Sequence, residues 1–276
     1  MSGILYLVPT PIGNLGDISA RMADTLAQVD FIAAEDTRVS LKLLNHLEIK
    51  KPLVSYYRHN TESAGPAILA RLLAGESCAL VTDAGMPAIS DPGEDLVALC
   101  AQNGVAVIAI PGPCALVTAL AVSGLPTARF TFEGFLPMNK KNRRAHLASL
   151  MAEERTMLFY EAPHKLNATL ADLAAAFGRE RRIALCRELS KLHEEVVRTT
   201  LGAAVEKYAE QAPKGEFVLV VEGASPAAPE EATLEEGLEL VERLRAEGLS
   251  LKEASRKAAE ATGLNRKALY DAALGK

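Results

Sequence analysis

Residues 78–93 read CALVTDAGMPAISDPG and change character partway along. The first five, CALVT, are apolar without alternation, the pattern of a strand buried on both faces. The remainder holds two aspartates, two glycines, two prolines and a serine, which break regular structure and build a loop. Leu96, Val97 and Cys100 then recur at helical spacing, and Gly104 is placed to close that helix. The next apolar run is VAVIAI (105–110). Buried strand, loaded loop, helix and second buried strand make one unit of a parallel α/β sheet.

The same alternation extends back to the start of the chain. ILYLV (4–8), FIAAE (31–35) and LVSYY (53–57) are short apolar runs bounded by turn residues. Between them Ile18, Met22, Leu26 and Val29 fit one helix, and Val39, Leu43, Leu44 and Leu47 another. Ile68, Leu69, Leu72 and Leu73 fit a third. A parallel five-stranded sheet covered by helices is therefore predicted for an α/β domain over residues 1–115. Beyond a helix and connector at 111–126, strand candidates come closer together: RFTFEGFL (129–136), TMLFYEA (156–162), RIALCREL (182–189), EEVVRTTL (194–201) and EFVLVVEG (216–223). One helix, Leu166 to Phe177, separates the second from the third, and a hairpin or short connection suffices for the last two. The prediction is a second α/β domain, residues 116–225, on a mixed five-stranded sheet. ASPAAPEEAT (224–233) has the composition of a linker. A small helical tail follows at 234–276, where Ser250 and Glu253 stand at capping-box spacing. Gly263 and Asn265-Arg266-Lys267 then outline a helix-turn-helix, a pattern that any small helical bundle shares.

Composition agrees with this plan. The chain has 276 residues, 49% of them hydrophobic, with 30 Lys+Arg against 35 Asp+Glu for a net charge of −5. Such a chain is neither disordered nor coated in positive charge. Cys78, Cys100, Cys114 and Cys186 form no C-x-x-C pair, which favours thiols in a reducing compartment over disulfides or zinc. No apolar stretch reaches the length of a membrane span and the N-terminus lacks a signal-peptide pattern, so a soluble cytoplasmic protein without a metal is expected.

In a parallel sheet the ligand crevice lies at the carboxyl ends of the strands. Four of the five strands here end in turn-forming, chemically loaded sequence. These are Pro9 to Asp17, Glu35-Asp36-Thr37-Arg38, Thr82 to Gly93, and Pro111-Gly112-Pro113. Each alone is an ordinary tight turn; four on one edge make a site. Gly13 and Gly16 do not have the G-x-G-x-x-G spacing of a dinucleotide fold. Glycine backbone with a few carboxylates suits a flexible polar ligand carrying ribose hydroxyls and positive charge.

The segments LYLVPTPIGNLGDIS, AEDTR, SYYRHN, VTDAGMPAISDPG, PGP, EGFLP, FYEAPHKL and CRELSKLHEE, in this order, resemble one family along nearly the whole chain. It is the ribosomal RNA small subunit methyltransferase I family, within the tetrapyrrole-methylase-like class of S-adenosylmethionine enzymes. The resemblance implies methylation of the ribose 2′-hydroxyl of a cytidine in 16S rRNA, with free 16S rRNA or the 30S subunit as partner. It also implies two α/β domains with S-adenosylmethionine in the cleft between them, and a homodimer. Carried over by position, it assigns the cofactor to Pro9 and Gly13, to Asp83, Gly85 and Ala88, to Pro111, Gly112 and Pro113, and to Ala162 and Pro163.

A neutral 2′-hydroxyl is a poor nucleophile and needs a base or groups that stabilise the developing alkoxide. Candidates along the crevice are Glu35, Asp36, Arg38, Asp83, Glu133, Lys165, Glu188 and Lys191. Glu35 or Asp36 is assigned as base or ribose holder and Arg38 to a phosphate, although Glu35 and Arg38 equally suit a structural ion pair. RNA affinity needs cations. The densest run is Lys140, Lys141, Arg143 and Arg144, which is read as RNA-binding or as a solvated loop; Arg179, Arg181 and Arg182 form a weaker cluster. Tyr56, Tyr57 and Arg58 suit either base stacking or the end of a core strand. Two other functions stay open: methylation of a tetrapyrrole or other small molecule, and a non-catalytic nucleic-acid-binding regulator. The basic run and the tail favour RNA over a small molecule.

Overall fold

The computed structural model describes residues 2–210, 213–225 and 232–275. The chain divides into two compact units, Met1–Ala224 and Ser225–Lys276.

In the first unit, strands β1 (Ile4–Leu7), β2 (Phe31–Ala34), β3 (Leu53–Ser55), β4 (Cys78–Val81) and β5 (Ala106–Ala109) form one sheet in the order β3-β2-β4-β1-β5. Every pairing in it is parallel. Side chains alternate across a strand, and both faces are covered. Phe31, Ala33, Cys78 and Leu80 pack with Ile68 and Leu72 of α3 (Thr61–Leu73) and with Leu96 and Cys100 of α4 (Glu94–Gln102). Ile32, Ala34, Ala79 and Val81 pack on the other side with Met22 and Leu26 of α1 (Ala20–Gln28) and Leu44 of α2 (Thr37–His46). Burial on both faces is why the central strands β2 and β4 are apolar at every position. Tyr56 belongs to this core and is fully buried, whereas Tyr57 is exposed with its ring edge-on to His59. Of the two readings of that tyrosine pair, Tyr56 takes the core one.

The second sheet contains β6 (Phe130–Phe135), β7 (Thr156–Glu161), β8 (Arg182–Arg187), β9 (Glu195–Thr200) and β10 (Phe217–Val221), in the order β6-β7-β10-β8-β9. It is mixed, because β6 and β7 run parallel while the other neighbours are antiparallel. One face packs on α5 (Ala115–Val122) through Leu158, Ala184 and Val220. The other packs on α6 (Lys140–Ser149), α7 (Leu166–Phe177) and α8 (Leu201–Tyr208) through Phe159, Leu185 and Leu219.

Two connections differ from the sequence expectation. The run at 140–144 opens α6 instead of a loop, with the Asn139 side chain accepting from the N–H groups of Lys141 and Asn142. The last two strands are joined through α8 and are not neighbours, since β10 inserts between β7 and β8. Both helices are short and carry few large apolar residues, α6 because of its cations and α8 because of its alanines, so neither shows a strong helical period.

The second unit holds α9 (Leu234–Ala246), α10 (Leu251–Thr262) and α11 (Arg266–Ala273) around Val241, Ala254, Ala258 and Leu269. Ser250 and Glu253 form the expected capping box, and Gly263 ends α10 in the left-handed conformation before Asn265 caps α11. Residues 226–231 of the linker assignment lie outside the described residues. Among the described residues, no helix is long and apolar enough to cross a membrane.

Candidate active site

The carboxyl ends of the first sheet and one end of the second enclose a cavity of about 500 Å³. Loops after β1, β2, β4 and β5 contribute Ile12, Glu35, the stretches 82–86 and 89–91, and Cys114. The second sheet contributes the ends of β6, β7 and β8 and the start of β10. Register explains why these meet: Phe135 pairs with Tyr160, and Phe217 lies opposite both Glu161 and Arg187.

The first-sheet wall is anionic. Glu35, Asp83 and Asp91 all line it, and Thr82 Oγ1 donates to Glu35 Oε2 at 2.8 Å. Burial, reinforced by the Glu35 charge, pushes the Asp91 carboxyl up to about 6. Burial and Glu35 likewise raise Asp83 above the usual carboxylate range. The loops are tied together behind this wall. Thr10 and Gly85 exchange backbone hydrogen bonds of 2.9 and 3.0 Å, and Thr10 Oγ1 donates to the Thr82 carbonyl at 3.0 Å. Among the described residues five non-glycines have positive φ, and Ala88, Ser90, Glu188 and Ser190 are four of them. Each costs on the order of 1–3 kcal/mol, a strain held by the surrounding loops and typical of functional sites.

The opposite wall combines apolar surface from Tyr160 and Val218 with a second polar network, and the exposed ring of Phe135 stands at its edge. Glu161 is buried; one of its oxygens accepts from the Ala162 N–H at 2.8 Å and the other from the Thr169 hydroxyl. Lys191 Nζ lies between Glu188 (2.8 Å) and Glu216 (3.0 Å). Burial works against that ammonium, but the two carboxylates outweigh it and raise its pKa.

The sequence-assigned residues divide accordingly. Glu35, Asp83, Gly85, Ala162 and Pro163 line the cavity. Pro9 and Gly112 are not among its lining residues and pack against each other, so closely that a Cβ at Gly112 would lie 2.5 Å from Pro9 Cγ. The Pro113 carbonyl approaches Gly85, and Gly13 lies under the Lys191 stem. Ala88 turns the strained loop, and Pro111 is exposed. Asp36 is the N-cap of α2 and grips Arg38 through the backbone N–H (2.8 Å) and the guanidinium (2.6 and 3.0 Å). Those bonds hold its carboxyl at about 2. The Arg38 side chain, 86% exposed, thus pairs with Asp36 and not with Glu35. Lys140, Lys141 and Arg144 are exposed on α6. Arg143 is 12% exposed and bound to Asp172 (2.6 Å) and Thr169 (2.9 Å), which makes it a tie between α6 and α7. Arg179 and Arg182 pair with Glu206 and Glu222.

Thr82 and Asp91 stand out in the sequence only as parts of a loaded loop, and Phe135, Tyr160, Glu161 and Glu216 not as site residues at all. Glu161 carried a signal, being a carboxylate that ends an otherwise apolar strand. Among the described residues no group of three His, Cys, Asp or Glu side chains is arranged to hold a metal ion.

Known proteins share this architecture. A family model for tetrapyrrole (corrin/porphyrin) methylases matches residues 4–205, and one for the RsmI C-terminal HTH domain matches 231–276. A Synechocystis sp. protein named ribosomal RNA small subunit methyltransferase I is 50% identical over 272 residues, covering 99% of this chain and 98% of that protein. A protein of the same name from Halalkalibacterium halodurans is 48% identical over 272 residues, covering 98% and 94%. The X-ray structure of a cobalt precorrin-4 methyltransferase superposes with a TM-score of 0.58 at 17% identity, over 79% of this chain and 94% of that one, a likeness of fold. From near-complete coverage at half identity, together with both family models, it follows that this chain belongs to the ribosomal RNA small subunit methyltransferase I family.

Proposed function

We propose that the protein methylates the ribose 2′-hydroxyl of a cytidine in 16S rRNA of the small ribosomal subunit, with S-adenosylmethionine as donor. The observation that carries this reading is the wall of three carboxylates facing an apolar wall in one cavity. S-adenosylmethionine bears a sulfonium, an ammonium, a ribose and an apolar-faced base, so the donor set fits it. When bound, it supplies an electrophilic methyl group on sulfur.

The chain's residues do the rest. Glu35, Asp83 and Asp91 attract the ligand's positive charges. Gly85 and Ala162 let backbone approach the ligand, with Pro163 closing the turn beside it. Pro9, Gly13, Ala88, Pro111, Gly112 and Pro113 hold the loops in place behind these contacts, and alignment of this kind supplies much of a displacement's rate. The hydroxyl proton goes to the Asp91 carboxylate, whose basicity is raised by burial and by the Glu35 charge beside it. A pKa near 6 suits Asp91 to accept that proton near neutrality. Asp36 and Arg38, spent on each other, fix the start of α2 and so the direction of Glu35. Residues 1–115 and 116–225 are the two halves of the cleft in this reading. Lys140, Lys141 and Arg144 contact RNA phosphates, and the cytoplasm and a homodimer complete the expectation. The exposed cations of α6 favour RNA over a small-molecule acceptor.

Incubation with methyl-labelled S-adenosylmethionine and 30S subunits lacking the modification tests the reading. Label is expected in rRNA, within an alkali-resistant dinucleotide, because a methylated 2′-oxygen cannot attack its own phosphodiester. Absence of label from both 30S subunits and naked 16S rRNA would overturn it.

A further inference from the structure

Strand β6 breaks its own alternation. Phe132 pairs with Leu158, yet Gly134 pairs with Phe159 and Phe135 with Tyr160, so Glu133 is an extra residue and the strand carries a bulge. Gly134 supplies the positive φ, 62°, that the bulge requires. In an uninterrupted strand Phe132 and Phe135 would point to opposite faces, placing Phe135 under the helices that bury Phe159. The bulge turns Phe135 to the cavity face instead. There the rings of Phe132 and Phe135 meet Tyr160 edge-on, at 4.9 and 5.6 Å.

Phe135 lines the cavity and remains 56% exposed. The shift buries Leu136 under the helices, but the Phe135 ring gains little from packing because it is left half in water, so its exposure asks for a second reason. Its neighbours supply one. Met138, three residues on, is 81% exposed, and Asn139 then caps the helix that carries exposed Lys140, Lys141 and Arg144. A flat apolar face beside a cationic helix matches an unpaired nucleotide, with the base on the ring and the flanking phosphates on the cations.

We propose that Phe135 is the platform on which the unstacked base of the target nucleotide rests, so that it positions the ribose over the cavity. This rests on the rRNA methyltransferase reading and deepens it. Enzymes that act on a nucleotide within structured nucleic acid extrude it and hold the base by stacking.

The test compares wild type, Phe135→Leu and Phe135→Trp with labelled S-adenosylmethionine and 30S subunits lacking the modification. Cofactor Kd is measured separately by calorimetry. Leucine keeps apolar contact with Tyr160 but has no flat face, and a side chain this exposed tolerates both changes. A stacked base is worth about 5- to 150-fold, so Phe135→Leu is expected to lower kcat/KM for the subunit within that range. Phe135→Trp should stay within about twofold of wild type, and cofactor Kd within about twofold throughout. Wild-type kcat/KM in the leucine variant would overturn the proposal. An equal loss with tryptophan, or a matching loss of cofactor affinity, would also overturn it, making the ring packing or cofactor wall. If wild type itself leaves rRNA unlabelled, the broader reading falls and takes this one with it; if wild type and Phe135→Leu label equally, only the role of Phe135 falls.

Discussion

Ionised Asp91 is a burden on the folded chain. Its folded pKa of about 6 lies above the ordinary 3.8, so between those values the native state binds more protons than the unfolded chain. Stability therefore falls as pH rises across that window, and the loss is complete above it. Asp91→Asn is expected to raise Tm by about 2–4 °C at neutral pH, after allowance for solvent screening, with the gain gone below about pH 4. Scanning calorimetry at the two pH values checks this; an equal gain at both would assign the effect to packing. Under the proposed function a cationic ligand should bind more tightly as pH rises through about 6, and the asparagine variant should flatten that rise. At this scale the sequence was only partly legible. Asp83 and Asp91 stand in one loop, and nothing in their spacing ranks them, because the ranking comes from burial beside Glu35. The cap role of Asp36 was more accessible, since an aspartate just before a helical period is the expected N-cap.

Helix α6 divides its cations between two tasks. Lys140, Lys141 and Arg144 are free to meet phosphate, whereas Arg143 is held by Asp172 and Thr169, and Thr169 in turn holds Glu161 of the cavity wall. Replacing the three exposed cations with alanine is expected to weaken RNA binding and to lower the slope of log K against log salt by about two. Filter binding over a salt series measures it, and an unchanged slope would remove α6 from the interface. Arg143→Ala should instead lower Tm, because Asp172 and Thr169 lose a partly buried partner worth about 1–3 kcal/mol. Element by element, the legible parts of the fold were those with a strong period. All ten strands fall within the expected runs; the central strands stand out because they are apolar nearly throughout, and the edge strands β6 and β9 by their β-branched and aromatic residues. Helices α6 and α8 were obscured by charge and by alanine, and strand order in the second sheet cannot be read from runs at all. The exposure of Phe135 depends on a single extra residue in β6, which counts of alternation pass over.

On the scale of the whole molecule, every lining residue of the cavity, from Ile12 to Val218, belongs to the first compact unit. A chain ended at Ala224 is therefore expected to keep its cofactor Kd within about twofold, while RNA affinity falls if the helical tail grips the substrate. Calorimetry with S-adenosylmethionine and binding to 30S subunits separate the two, and loss of cofactor binding on truncation would show the cavity to be incomplete without the tail. The placement of β10 has a consequence of another kind. It is the last strand in sequence yet sits between β7 and β8, pairing with both. While the chain is being made, Leu158, Phe159, Ile183 and Leu185 leave the ribosome with their central partner still missing. At about 5–20 residues per second, the stretch from Arg187 to Phe217 takes roughly 2–6 s to synthesise. For that interval the nascent protein presents two apolar strand edges at once, the arrangement most open to pairing with a neighbouring chain.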